Sequence, residues 1–249
     1  MALRRFTAAL AALMLFTASA TPSHALEVSP MVAKLTPTGV GSSYRLTVRN
    51  NSTTPATVEI EVYRMRVDDE GARSLTPEDD AIVAFPVQSV IPPNRDQIVQ
   101  VRYVGEPSGG AGGEPGMYLV RVGQLPIVMQ TTGADGEAGA DVKVAFTINT
   151  YVFVAPANAR ASVEVTGLSR APNGDILIAA RNPGTGFAHL REARFTLTTA
   201  DGRAHEVPAA DVDVGEVSVI AGGASRTIRI PAALAAGAAG DVTAAIALL

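Results

Sequence analysis

The groups able to do chemistry are few and scattered in this chain of 249 residues, which has three histidines and no cysteine or tryptophan. Without cysteine there is no thiolate nucleophile, thiolate metal site or disulfide. His24, His189 and His205 lie far apart, with no carboxylate or histidine at ligand spacing, so no metal site and no cofactor are expected. Asp68-Asp69-Glu70-Gly71 starts like a calcium loop but lacks the later ligands and the closing glutamate, so it reads as a charged hairpin turn. Gly109, Gly110, Gly112 and Gly113 are followed by no Gly-Lys-Ser/Thr, and Gly133 to Gly139 read as flexible loop in the same way. The serines lie in no Gly-x-Ser-x-Gly elbow. No catalytic residue is assigned, and an enzyme is not expected.

One stretch has spacing that could do work on another protein. From Asp141 to Pro156 the chain carries its longest β pattern, a strand over 142–155, about twice the usual length. Its even positions are Val142, Val144, Phe146 and Ile148, and a loop of flexible composition, Gln130 to Ala140, precedes it. Two readings fit the period. The even face lines the core of its own domain while Lys143, Thr147 and Asn149 meet water. Or the strand projects past a shorter sandwich and lends its knobs to an unfinished sheet in a partner, with backbone hydrogen bonds supplying affinity.

The elements that must position this strand are themselves strands. Tyr44, Leu46 and Val48 alternate with Arg45, Thr47 and Arg49; then Asn50 to Pro55 turns the chain into Val58, Ile60 and Val62. Further strands are expected at 81–85, 96–104, 117–125 and 242–248, with Ala232 to Gly240 a loop. A weak internal repeat relates the two halves. Leu46 to Thr53 corresponds to Ile178 to Thr185, and Val90-Ile91 to Val219-Ile220, at nearly the same offset. This predicts two sandwiches, residues 26–156 and 157–249, joined where Pro156 and Asn158 interrupt the pattern.

Residues 1–25 read as a secretory signal: Arg4 and Arg5 precede an apolar run from Phe6 to Ala20 that is too short to span a bilayer. Cleavage after Ala25 is favoured, with Ala20 the alternative, and the general route is favoured over the twin-arginine one. Removing Arg4 and Arg5 moves the net charge from −4 to −6, and no membrane span remains. Neither value gives the positive field a nucleic-acid partner requires.

In order along its length, the chain resembles the PapD-like periplasmic chaperones of the chaperone-usher pathway. The resemblance is carried by Val28-Ser29-Pro30, by Leu46 to Ser52, and by Phe85-Pro86 with Val90 to Gln97. Tyr118 to Pro126 and Thr150 to Pro156 complete it. It implies an all-β fold of two immunoglobulin-like sandwiches set in an L, located in the periplasm. It also implies that a long strand capping pilus or fimbrial subunits maps onto Val142, Val144, Phe146 and Ile148, with delivery of the subunits to an outer-membrane usher. A free copy is expected to be prone to self-association through that strand. The family's basic pair, which holds the subunit's terminal carboxylate, falls here on Val32 and Tyr151, so this chain departs from the pattern. Lys34, Arg121 and the Tyr151 hydroxyl are the candidate replacements, and an ordinary solvated lysine fits Lys34 equally well. The alternative reading is an exported structural or adhesive sandwich whose long strand is satisfied internally.

Overall fold

The computed structural model describes residues 26–106, 115–125, 127–129, 142–235 and 240–249, without the side chains of 127–129 and 142–144. Residues 1–25, expected to be a signal, the glycines at 109–113 and residues 130–140, expected to be a loop, lie outside the described residues, as do the side chains of Val142 and Val144.

The first half contains β1 (Leu26–Ser29), β2 (Val32–Leu35), β3 (Ser43–Asn50), β4 (Ala56–Val67), β5 (Arg73–Pro77) and β6 (Ile82–Phe85). It continues with β7 (Gln88–Ile91), β8 (Arg95–Tyr103), β9 (Gly116–Gln124), β10 (Ile127–Met129), β11 (Val142–Val144) and β12 (Thr147–Val154). The second half contains β13 (Glu164–Arg170), β14 (Ile176–Arg181), β15 (Ala188–His189), β16 (Ala193–Thr199) and β17 (Ala204–Val207). It ends with β18 (Val219–Ile220), β19 (Ser225–Ile230) and β20 (Val242–Leu248).

Two sheets face each other in the first half, one ordered β1-β3-β8-β6 and the other β2-β12-β9-β4-β5, with β7 added on β4. The alternation in the sequence explains why they pack. Leu46 and Val48 of β3 and Val99 and Val101 of β8 turn inward. They meet Val58 and Ile60 of β4, Val120 and Val122 of β9, and Val152 and Val154 of β12. Each such side chain taken fully out of water stabilises the sandwich by about 1.5–3 kcal/mol. A separate core forms in the second half around Ile176, Ile178, Phe195, Leu197, Ile228 and Ile230, between β13-β14-β19 and β17-β16-β20.

Between the two cores lies a third cluster: Met65, Met117 and Phe153 from the first half pack on Val217 and Val219 from the second. Phe153 is its centre, with ring centroids 5.0 Å from Phe187 and 5.8 Å edge-on to His189. Among the described residues no helix is long and apolar enough to cross a membrane.

The strand expected over 142–155 is two strands. The ladder between β12 and β9 ends at the Thr147–Gly123 pair, and β9 itself stops at Gln124. Val142–Val144 pairs instead with Ile127–Met129, and Ala145 and Phe146 connect the two pieces. One bond still ties the connection down, from the Gln124 amide to the Phe146 carbonyl at 2.7 Å.

Candidate functional site

β12 is flanked by β9 along its whole length but by β2 only from Tyr151 to Val154. In a strand, the N–H and C=O of one residue point to the same side. The Tyr151 amide donates to the Met31 carbonyl at 2.9 Å on the β2 side, so Thr147 and Asn149, of the same parity, aim theirs past the end of β2. Among the described residues, Thr147 to Thr150 therefore has a strand neighbour on one side only.

The even face of β12 changes character along this free edge. Val152 and Val154 are sealed in the core, Ile148 is half-buried against it, and Phe146 is 52% exposed. Thr150, buried between them, satisfies its hydroxyl by donating to the Val120 carbonyl at 3.2 Å. Among the described residues, an unpaired backbone edge thus adjoins an apolar knob with no partner in its own core.

Where β2 meets β12, the two positions singled out in the sequence are direct neighbours, since Val32 pairs with Tyr151. One step along, Lys34 pairs with Phe153. Both pairs open onto a cavity of about 390 Å³ between the halves, closed from the other side by His189, Glu192, Glu216, Val217 and Val219. Lys34 is exposed and makes no ion pair among the described residues. Burial, reinforced by the Lys34 charge, holds His189 below the usual histidine range and favours its neutral form.

Arg73, which the sequence reading passes over, stands at the rim of this cavity. Its Nη1 donates to the Tyr151 hydroxyl at 2.9 Å, and its Nε meets the Glu216 carboxylate at 2.6 Å. No spacing in the sequence announces it, because it opens β5, separated from β12 by β9 and β4, and only its side chain reaches the Tyr151 hydroxyl. Lys34 and Tyr151 thus share one cavity, whereas Arg121 does not line it. Arg121 stacks on the Tyr63 ring, 4.4 Å from its centroid, donates to the Tyr63 hydroxyl at 2.9 Å, and lies 3.6 Å from Glu61. Its cross-strand partner is Asn149, so it sits on the paired, β9 side of β12 and away from the cavity.

The acidic segment Asp68 to Gly71 is a hairpin turn, with Asp68 accepting from the amides of Glu70 and Ala72 at 3.1 and 2.8 Å. It does more than turn the chain. The Thr227 amide donates to the Asp69 carbonyl at 2.6 Å and the Val217 amide to the Gly71 carbonyl at 3.2 Å, which docks the tip onto the second half. Gly71 and Gly215 both have positive φ and lie back to back; a Cβ on Gly71 would be 2.7 Å from the Val214 carbonyl oxygen. Beside them Arg226, only 2% exposed, spreads its guanidinium over the carbonyls of Val214, Val217 and Val219 at 2.8, 2.6 and 3.1 Å.

Among the described residues no group of three or more His, Cys, Asp or Glu could hold a metal ion. No protein-family model matches the chain, and no curated protein matches it. Solved structures do. The class 5 fimbriae chaperone CfaA superimposes with a TM-score of 0.54 at 13% identity, over 81% of this chain and 84% of that one. The Escherichia coli chaperone DraB gives 0.53 at 18% identity, over 88% and 87%. A structure of Salmonella enterica SafA pilin in complex with the SafB chaperone gives 0.53 at 12%, over 85% and 86%. At such identities the likeness speaks for architecture alone, and this chain shares the fold of these fimbrial chaperones.

Proposed function

We propose that the chain is a periplasmic chaperone that binds pilus or fimbrial subunits by lending them the edge of β12 and β11, and passes them to an outer-membrane usher. The observation that carries this reading is the free backbone edge from Thr147 to Thr150 beside the exposed Phe146. An open edge with an apolar knob invites pairing with a foreign strand, and covering it in a complex removes an aggregation hazard from both partners. The fold agrees, and one structure that shares it holds a chaperone together with a pilin. Val142, Val144, Phe146 and Ile148 are the subunit-binding knobs. The reading requires no catalysis and no cofactor. It also takes residues 1–25 as a cleaved export signal, 26–156 as the subunit-binding domain and 157–249 as the second domain.

In the cavity between the halves, Lys34 and the Tyr151 hydroxyl receive the subunit's terminal carboxylate, with Arg73 behind Tyr151. Lys34 supplies an unpaired charge one residue pair away from the vacated basic slots.

The test is to purify a C-terminally tagged copy from the native periplasm and identify what accompanies it, alongside Phe146→Glu and Val144→Glu variants. A small exported subunit is expected near one-to-one with the wild type and is lost with the variants. Phe146 is already half in water, so Phe146→Glu leaves melting unchanged within about 0.5 kcal/mol. A subunit that stays bound to both variants refutes strand donation through these residues. Unfolding of Phe146→Glu would instead return the strand to the interior of its own domain, as the structural-sandwich alternative requires.

A further inference from the structure

The cavity that holds Lys34 and Tyr151 already contains a carboxylate. Glu216 comes from the second half and places its Oε1 2.6 Å from Arg73 Nε, while its Oε2 accepts from the Arg73 amide at 3.4 Å. The same guanidinium donates through Nη1 to the Tyr151 hydroxyl at 2.9 Å. A carboxylate between an arginine and the edge of this cavity is the arrangement a bound ligand carboxylate would make.

We propose that Glu216 is a resident counter-ion that competes with an incoming carboxylate for Arg73. The inference rests on the reading of the cavity as a carboxylate receptor given above. Charge supports it: Lys34 and Arg73 are matched by Glu192 and Glu216, so the resting cavity offers an arriving anion little net attraction. Exposure supports it too. The Glu216 side chain is 48% exposed and can swing into water, whereas the Arg73 side chain, 25% exposed, stays held by Tyr151.

The backbone of Glu216 cannot follow its side chain. Val217 is bonded to the Gly71 carbonyl, and Gly215 abuts Glu70, so the competitor is tethered and always at high local concentration. A small free carboxylate must displace it unaided. A carboxylate at the end of a chain already paired along β12 arrives with a comparable local concentration and succeeds. Glu216 therefore makes the cavity selective for chain-borne carboxylates over free ones.

The experiment uses the folded chain without residues 1–25 and sodium acetate as the probe, titrated against chloride at constant ionic strength. The readout is the shift of the backbone amide signals of Tyr151 and Val219, which line the cavity in every variant, in nitrogen-edited NMR. Glu216→Gln is expected to bind acetate about two- to five-fold more tightly than the wild type, the range for removing a half-exposed ion pair. Glu216→Ala, in which no amide can replace the lost bonds, is expected to match it, and Arg73→Gln in the Glu216→Gln background to lose the gain. Equal acetate affinity in the wild type and both Glu216 variants overturns the inference. If Lys34→Met then weakens that binding, the receptor reading survives alone. Absence of acetate binding in every variant overturns both.

Discussion

Replacing Arg226 with Met tests whether the junction of the two halves is built as its geometry implies. Methionine keeps most of the buried stem and removes the guanidinium, so packing changes little while three hydrogen bonds disappear. Those bonds run to the carbonyls of Val214, Val217 and Val219. Bonds from a charged donor contribute about 1.5–3 kcal/mol each, and the three carbonyls would be left buried without that partner. Against this, methionine escapes the cost of burying a cation, a cost visible in the guanidinium's pKa, which burial pushes down although Asp68 and Asp69 oppose it. Taking the low end of the range and subtracting that relief leaves a net loss of about 3 kcal/mol. For a domain of this size, about 1 kcal/mol moves the midpoint by roughly 4–8 °C, so the second half should melt some 12–24 °C lower. Differential scanning calorimetry measures the shift, and hydrogen exchange at the Val217 amide, which bonds the Gly71 carbonyl, reports the junction directly. A midpoint within about 3 °C of the wild type, with Val217 protection intact, would refute the claim that Arg226 holds this loop.

Acid should loosen the cavity wall through His189. Its folded pKa is lowered, first by burial and then by Lys34, so the unfolded state binds its proton more readily. The stability it contributes is therefore complete above the unfolded value of about 6.5 and is lost as pH falls through the lower folded value. The protection factor of the Val219 amide, opposite His189 in the β15–β18 pair, should fall as pH drops through that window and become independent of pH in His189→Gln; a slope unchanged in the variant would exclude His189 as its source. Asn50→Asp and Asn182→Asp should each destabilise by about 2–4 kcal/mol, since a buried donor is replaced by a charge facing carbonyls. Two calorimetric transitions are expected, with Asn50→Asp lowering only the first half's and Asn182→Asp only the second's. Equal shifts of both transitions by either variant would show that the halves do not melt independently.

These two asparagines also explain why a weak repeat in the sequence was informative. Asn50 Nδ2 donates to the Ile91 carbonyl at 3.0 Å and Asn182 Nδ2 to the Ile220 carbonyl at 3.0 Å. The two matches found at nearly one offset, around Asn50 and around Ile91, are thus the two ends of one hydrogen bond, made once in each half. Alternating apolar residues were legible for the same reason, because burial selects them one residue in two. The break in the 142–155 strand was not legible from that stretch, whose own pattern is continuous; it follows from where β9 ends, a property of the neighbour. Asp68 to Gly71 read correctly as a turn, yet its docking is made by the carbonyls of Asp69 and Gly71, which every residue type possesses. Arg73 reaches the cavity through the register of the β4–β5 hairpin, and His189 through that of β15 with β18. Pairings over such distances leave no local spacing to detect.

The same contrast explains how the chain keeps this architecture at 12–18% identity to the chaperones it superimposes on. Besides the Phe153 cluster, what joins the halves is main chain: the Asp69 and Gly71 carbonyls and two glycines in contact, next to a loop that Arg226 braces from within the second half. Such contacts constrain backbone shape and two glycines, and they leave most side chains free to change. A carboxylate anchor is different, because it depends on a cation reaching one point in space. Once the halves are fixed, any strand bordering that point can supply the cation. On β2 and β12 the paired residues Val32 and Tyr151 carry no cation, while Lys34 and Arg73 stand one residue pair and one hydrogen bond away. Under the function proposed above, the charge sits elsewhere on the cavity wall without disturbing the fold, and the Tyr151 hydroxyl, held by Arg73, is the neutral piece of that site.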